Sequence, residues 1–263
     1  MKVNRRVLAC VLIFIPLSIS LVEPNLAAVA AAEPPGDLAI WCERRSEFAV
    51  TKAHEARLAS SLRRITGYHA LGFAPDGLLS LGDSTVCGGS AEARWILRTA
   101  FCSPAVFFIE DYSGFSSVTF GQAAREQVFA YGEGKISNVW RLRLDFDDFQ
   151  QVAASANVKA TFDEGFTFFH ELLHGLGYTD ASRIGELGTC EEILNGVRSE
   201  LGLPLRDQYF GEIWQITEKL TSVRMRFRSL QRNGNRLRSQ THYLFFLLDG
   251  PPNSLRSVGA LMR

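Results

Sequence analysis

The chain has 263 residues, 46% of them hydrophobic and 21% charged, which is enough for one sizeable core with appendages rather than several domains. The apolar fraction and 19 phenylalanines argue against a disordered chain. With 28 basic and 28 acidic residues the formal net charge is zero, so nucleic acid is offered no overall electrostatic match.

Lys2, Arg5 and Arg6 precede an apolar run from Val7 to Val22, and small residues follow as far as Ala32. Basic, apolar and then small is the order of a secretory signal. The run ends at Glu23-Pro24 and is short for a membrane span. The expected product is secreted or periplasmic once residues 1–32 are removed, with no membrane partner. It forms a single domain over about 37–263, with a basic C-terminal segment from about 215.

Export gives the cysteines a meaning. Cys42, Cys87, Cys102 and Cys190 are expected to form two disulfides, in one of three connectivities. Cys87 and Cys102 flank a helical stretch, Ala91–Ala100, and are expected to lie near one another. No Cys-x-x-Cys pair suggests a thiolate zinc site. A pro-segment within about 33–65 would offer Cys42 as a latency ligand.

Apolar residues recur at helical spacing between Cys42 and Ile65, and Thr66-Gly67 ends that pattern. Ala105–Glu110 reads as a buried strand. Val139–Phe146 alternates apolar residues with arginine, which predicts a half-exposed strand at the sheet edge, where an extended substrate could add. Helices are predicted over about Phe162–Leu176 and Cys190–Leu201, the second stopped by Gly202-Leu203-Pro204. Ile213–Leu230 is open between helix and strand. Residues 219–238 carry seven Lys or Arg and no acid. They form either a solvated face or a patch for an acidic partner. His54, His69 and His242 are scattered and carry no assigned role.

His170-Glu171-Leu172-Leu173-His174 names a chemistry. On a helix, positions i and i+4 share one face, so both imidazoles can meet one ion. Glu171, beside the first ligand, can take a proton from an attacking water, which is the arrangement of zinc peptidases. The bland alternative is a core helix with two hydrogen-bonded histidines. A third ligand is required. Asp180 fits the extended spacing His-Glu-x-x-His-x-x-Gly-x-x-Asp of some metzincins, with Gly177 as its glycine. The first methionine downstream is Met225, in the basic stretch rather than a recognisable turn. Glu186, Glu191 and Glu192 are the other candidates. Thr189 and Glu192 also have the spacing of a capping box.

The same pentapeptide is followed by Glu191-Glu192-Ile193, Asn195 and Arg198. Glu200-Leu201-Gly202-Leu203-Pro204-Leu205-Arg206 and Tyr209 come next. Together these resemble the effector metallopeptidase family of bacterial pathogens, which also occurs as toxin domains of Rhs-repeat proteins. The clostridial neurotoxin light chains are more distantly similar. The resemblance covers roughly residues 162–210. It implies a zinc site of His170, His174 and Glu192, with Glu171 as base and Glu191 close behind. It also implies Arg206 and Tyr209 as donors to the oxyanion of the tetrahedral intermediate. Glu186-Leu187 is an alternative counterpart of the family's Glu pair.

The expected fold is α+β and zincin-like, with a small mixed sheet packed on the active-site helix. The expected activity is secreted, zinc-dependent cleavage of protein or peptide substrates, in the manner of a virulence effector or toxin. Two alternatives are a non-catalytic binding protein on the same fold and a zinc amidase of the cell wall. Retention of Glu171 speaks against the first, and the lack of any glycan-binding repeat against the second.

Overall fold

The computed structural model describes residues 40–247 apart from 84, 116–118, 130–135, 218–219 and 234–235. Residues 1–32, expected to form a secretory signal, and with them Cys10, lie outside the described residues. The architecture is α+β: two main sheets and a two-stranded pair, with the longer helices gathered on one face of the first sheet.

The first sheet takes β1 (Ile40–Cys42), β4 (Ala105–Asp111), β6 (Ile136–Leu144) and β5 (Gly121–Phe129), in that spatial order. β1, β4 and β6 are parallel, and β5 closes the edge antiparallel to β6. Phe107, Ile109, Leu142 and Leu144 point from this sheet into the main core. They meet α1 (Lys52–Thr66), α2 (Ala91–Phe101), α4 (Glu164–Gly175) and α5 (Gly188–Glu200) there. Each of the first two of these helices is capped by a hydroxyl, Thr51 accepting from His54 N and Ser90 from Ala93 N. The opposite sheet face carries charges instead. Arg141 reaches Glu110 at 3.3 Å and Glu126 at 3.1 Å, and Arg143 reaches Glu110 at 3.5 Å.

That one-sided burial corrects the reading of Val139–Phe146. Its alternation reports a strand with one covered face, which an interior strand of a sheet shows as well as an edge strand does. β6 is interior, paired with β4 and β5, and the edge beside the helices is β5.

A short pair of strands, β2 (Gly72–Phe73) and β3 (Leu79–Ser80), follows α1. The second main sheet is antiparallel. It joins β7 (Val152–Ala153), β11 (Arg236–Leu247), β10 (Leu220–Asn233) and β8 (Leu205–Arg206), and β9 (Glu212–Thr217) pairs β10 as well. The short α3 (Ala156–Lys159) lies between β7 and α4. Val223–Arg228 is strand, as its alternation allows, and Met225, Phe227 and Leu244 bury a second core with Phe120 and Val158. The basic segment is therefore built into the fold through β7 and β8. Three of its arginines meet acids: Arg224 with Glu212, and Arg226 and Arg228 with Asp207.

The expected disulfides do not form: Cys42, Cys87, Cys102 and Cys190 are all free thiols. Cys87 precedes α2 and Cys102 caps its far end. The eleven residues of α2, about 16 Å of helix, lie between them in the chain. Cys42 is buried in β1 within the core, and Ile40, Leu58, Leu62 and Ile65 are fully buried around it. Residues 40–66 are thus structural, and Cys42 is not among the groups that converge on His170 and His174. Among the described residues, no helix is long and apolar enough to cross a membrane.

Candidate metal centre

α4 is an apolar helix that carries its chemistry on one side. Asp163 caps it by accepting the Gly165 and Phe166 N–H groups, both at 3.1 Å. Phe168, Phe169, Leu172 and Leu173 are fully buried and fix its rotation. One turn apart on the remaining side stand His170 and His174, their rings 4.9 Å apart and nearly perpendicular.

The chain then reverses sharply. Gly177 takes φ +95°, a left-handed conformation that suits glycine. Thr179 is held to α5 by Thr189, whose hydroxyl accepts the Thr179 N–H at 2.9 Å and donates to its carbonyl at 3.1 Å. Thr189 therefore lies inside the helix, which starts at Gly188, and is not the N-cap of a capping box. Asp180 makes a β-bridge to Gly188, and its carboxylate returns to the face of α4. Its Oδ1 lies 3.0 Å from His170 Nε2 and its Oδ2 3.3 Å from His174 Nε2.

These three side chains bring one donor atom each to within 4.8 Å of one another. Two further observations test whether a cation fits. Asp180 Oδ1 is buried 3.0 Å from His170 Nε2, with no partner that meets hydrogen-bond geometry. Both Nδ1 atoms are already engaged, His170 with Glu191 Oε1 at 3.1 Å and His174 with the Tyr178 carbonyl at 3.1 Å. Donation from Nδ1 leaves each Nε2 lone pair for a metal. Two imidazoles and a carboxylate form a donor set suited to zinc.

Glu192 does not join this group. On α5, Glu191, Leu194 and Arg198 share the buried face, whereas Glu192 is one residue out of phase and exposed. Glu186 is exposed too. The third position falls to Asp180, the residue that Gly177 and the spacing to His174 had marked. Glu191 stands behind it. Its Oε1 takes His170 Nδ1 and Arg206 Nη1, the latter at 2.8 Å, and its Oε2 takes Arg198 Nη1 at 2.7 Å. Burial opposes its ionisation, but Arg206 and Arg198 win and hold the carboxyl well below its usual range.

Arg206 departs from its expected role. Its Nε donates to the Gln208 carbonyl at 3.2 Å, while Nη1 binds Glu191 and Nη2 points to Tyr209 O and Met225 Sδ. With its donors committed behind His170, it braces Glu191 rather than facing a reacting carbonyl. Asn195 fastens it there, pairing with both the N–H and the carbonyl of Arg206 at 2.8 Å. Tyr209 does reach the cluster. Its ring stacks on His170 at 5.8 Å and its hydroxyl donates to Asp180 Oδ2 at 2.8 Å. Met225 belongs to strand β10 and not to a turn, and it is buried beside the Arg206 guanidinium.

Glu171 is buried under the start of β5. A Cβ on Gly121 would lie 2.8 Å from Glu171 Oε1 and 2.5 Å from Thr167 Cγ2, so only glycine lets the edge strand pass this close. Burial raises the Glu171 pKa above its ordinary value, opposed by His170, His174 and the Ala123 backbone N–H. Nothing in the sequence pattern marks Gly121, because its partner is brought to it from a distant part of the chain.

Comparisons with protein-family models, with curated proteins and with solved structures find no match. The reading of this centre therefore rests on its own geometry.

Proposed function

We propose that this protein is a zinc-dependent endopeptidase on a zincin-like fold. The observation that carries the reading is the convergence of His170 Nε2, His174 Nε2 and Asp180, with Glu171 beside them beneath the edge strand β5. Zinc bound by these three residues would supply Lewis acidity, polarising a scissile carbonyl and acidifying an attacking water. Glu171 accepts the proton of that water and delivers it to the leaving amine, a task that suits a carboxylate whose pKa burial has raised. Glu191 and the Tyr178 carbonyl hold the two imidazoles in the tautomer that presents Nε2. The Tyr209 hydroxyl donates to Asp180 Oδ2 and holds that carboxylate in place.

β5 ends its sheet, so its outer edge offers main-chain groups to an extended polypeptide next to Glu171. A protein or peptide substrate is the reading that this edge supports. The resemblance to effector metallopeptidases supports the same activity, although this chain presents Asp where that family would present Glu. The order of residues 1–32 supports export.

The deciding experiment measures zinc content and peptide-bond cleavage for the intact protein beside Glu171→Gln. One zinc per chain is expected in both, with cleavage reduced at least a thousandfold in the variant. Absence of zinc from the wild-type protein would return the two histidines to the core and end the reading.

A further inference from the structure

The end of the basic hairpin has no part in the metal centre. β10 pairs with β9 over Leu220–Arg224 and with β8 at Phe227 and Arg228, while β11 pairs with β7 at Phe245 and Phe246. Farther out the two strands pair with each other alone, from Ser229 with Gln240 to Asn233 with Arg236. The hairpin therefore leaves the second sheet as a two-stranded ribbon, about 17 Å of strand, with an open edge on each side. The edge of β11 is the longer. Among the described residues no strand pairs its outer side between Arg236 and Leu244. We propose that this edge receives an extended acidic segment of a partner polypeptide, which adds to the sheet as a further strand. The proposal does not depend on the peptidase reading.

Main-chain chemistry gives the form of the occupant. An open edge presents N–H and C=O groups at the spacing of a strand, and an extended polypeptide is the ligand that satisfies them. Arg238, Ser239, Gln240, Thr241 and Tyr243 are exposed, so this stretch of β11 is accessible. A two-stranded ribbon is marginally stable in water, and a third strand stabilises it. Ser229 Oγ lies 2.8 Å from His242 Nε2 across the ribbon, which ties the strands together where they leave the sheet.

Charge gives its composition. From Leu220 to Leu247 there are six arginines and no Asp or Glu. The three nearest the sheet meet acids from outside that segment: Glu212 takes Arg224, and Asp207 is shared by Arg226 and Arg228. Arg232, Arg236 and Arg238 lie farther out, and Arg238 makes no ion pair among the described residues. A guanidinium binds a carboxylate through two parallel N–H bonds. Arg236 and Arg238 stand two residues apart, the period at which a strand returns to one face. Acids at alternate positions of an incoming strand, about 4.8 Å away, match that repeat. The same charges oppose pairing with a second copy of the ribbon. An anionic lipid surface would meet the arginines but would offer the open edge no strand.

The test titrates the intact protein with a peptide of about ten residues that alternates Thr and Glu, with its Thr-Lys counterpart, and with phosphatidylglycerol vesicles. Fluorescence anisotropy reads peptide binding, cosedimentation reads vesicle binding, and backbone amide hydrogen exchange locates the contact. The acidic peptide is expected to bind and the basic one not, with an affinity that falls as salt rises. Amides between Arg236 and Leu244 are expected to exchange at least tenfold more slowly in the complex. The double reversal Arg236→Glu with Arg238→Glu is expected to weaken binding at least tenfold at an unchanged unfolding temperature. Failure of the acidic peptide to bind overturns the proposal. So does binding that leaves those amides unprotected or that survives the reversal. Vesicle binding without peptide binding overturns it too, the arginines then serving a lipid surface. None of these outcomes bears on the peptidase reading, which zinc content and cleavage decide.

Discussion

At His170 and His174 the two ring nitrogens have different surroundings: Nδ1 meets a protein acceptor and Nε2 faces Asp180, where the three side chains could hold an ion. The acceptors differ in kind. The Tyr178 carbonyl is neutral, whereas Glu191 is an ionised carboxylate buried with two arginines. Removing that carboxylate would strand two buried cations, the situation in which losing one partner costs about 3–5 kcal/mol. Glu171 is controlled by a contact of another sort, the missing side chain of Gly121. Gly121→Val drives two methyls and a Cβ into Thr167 and the base. An error of about 1 Å in a reacting group can slow a reaction ~100-fold. Turnover by this variant is therefore expected to drop by roughly one to two orders of magnitude, with zinc stoichiometry intact. Metal analysis beside steady-state kinetics checks it, and unchanged turnover would show that Glu171 is not the base.

The elements matter through the turns that end them. α4 stops one residue after His174, and the left-handed Gly177 sends the chain back so that Asp180 opposes both imidazoles. A second turn, after β6, holds Phe120, a non-glycine residue at φ +61°. Asp145 Oδ1 accepts the N–H groups of Asp147 and Asp148, and Asp145 and Asp148 together grip the backbone of Phe120. Burial, with Asp148 adding to it, raises the Asp145 pKa to about 6. The folded value lies above the unfolded one, so the stability this group contributes is fully present below about pH 4. It is lost as the pH climbs to about 6. Asp145→Asn keeps an oxygen acceptor and removes the charge. It is expected to stabilise the protein at pH 7.5 by about 1 kcal/mol, the full linkage value being discounted for residual hydration, with no gain at pH 4. Thermal unfolding at the two pH values decides this, and an equal shift at both would remove the titration argument.

At the scale of the whole molecule, the centre lies where three bodies meet: the helices, the edge of the first sheet and the second sheet. α4 supplies His170, Glu171 and His174, α5 supplies Glu191 and Arg198, and β8 supplies Arg206, which Asn195 locks to α5. The second sheet closes a cavity of about 270 Å³ beside His170 and Glu171 through Ile213, Val223 and Phe246. The described part of the basic segment thus supplies part of the site's wall, through Val223, Met225 and Phe246. Among the described residues no disulfide assists this assembly. Titration of the denatured protein is expected to find four thiols from Cys42, Cys87, Cys102 and Cys190, and a fifth from Cys10 where residues 1–32 are present. Reductant should leave the unfolding temperature unchanged, and two thiols or fewer would contradict this arrangement of helices.

Patterns confined to one element are readable from the chain alone. The spacing of His170 and His174 is a property of a single helix, and the apolar residues between them declare which side is buried, so helix and candidate ligands follow from one short segment. The helices at Ala91–Phe101 and Gly188–Glu200 and the strand at Ala105–Asp111 come the same way. Gly177 and Asp180 are legible as a spacing. The choice among Asp180, Glu186, Glu191 and Glu192 is not, because it depends on the rotation of α5 against α4, which buries Glu191 and turns Glu192 to solvent. Alternation in β6 declares one covered face and cannot declare a neighbour on each side, since hydrogen-bond pairing is decided by strands that come from elsewhere. Gly121 against Glu171, Arg206 against Glu191 and the cavity with its strained Phe120 all join residues distant in the chain. The residue pattern alone dictates the helix that presents the chemistry. Tertiary packing decided which third carboxylate completes it, which strand borders it and what shape lies beside it, because each of these is a distance between elements and not a period within one.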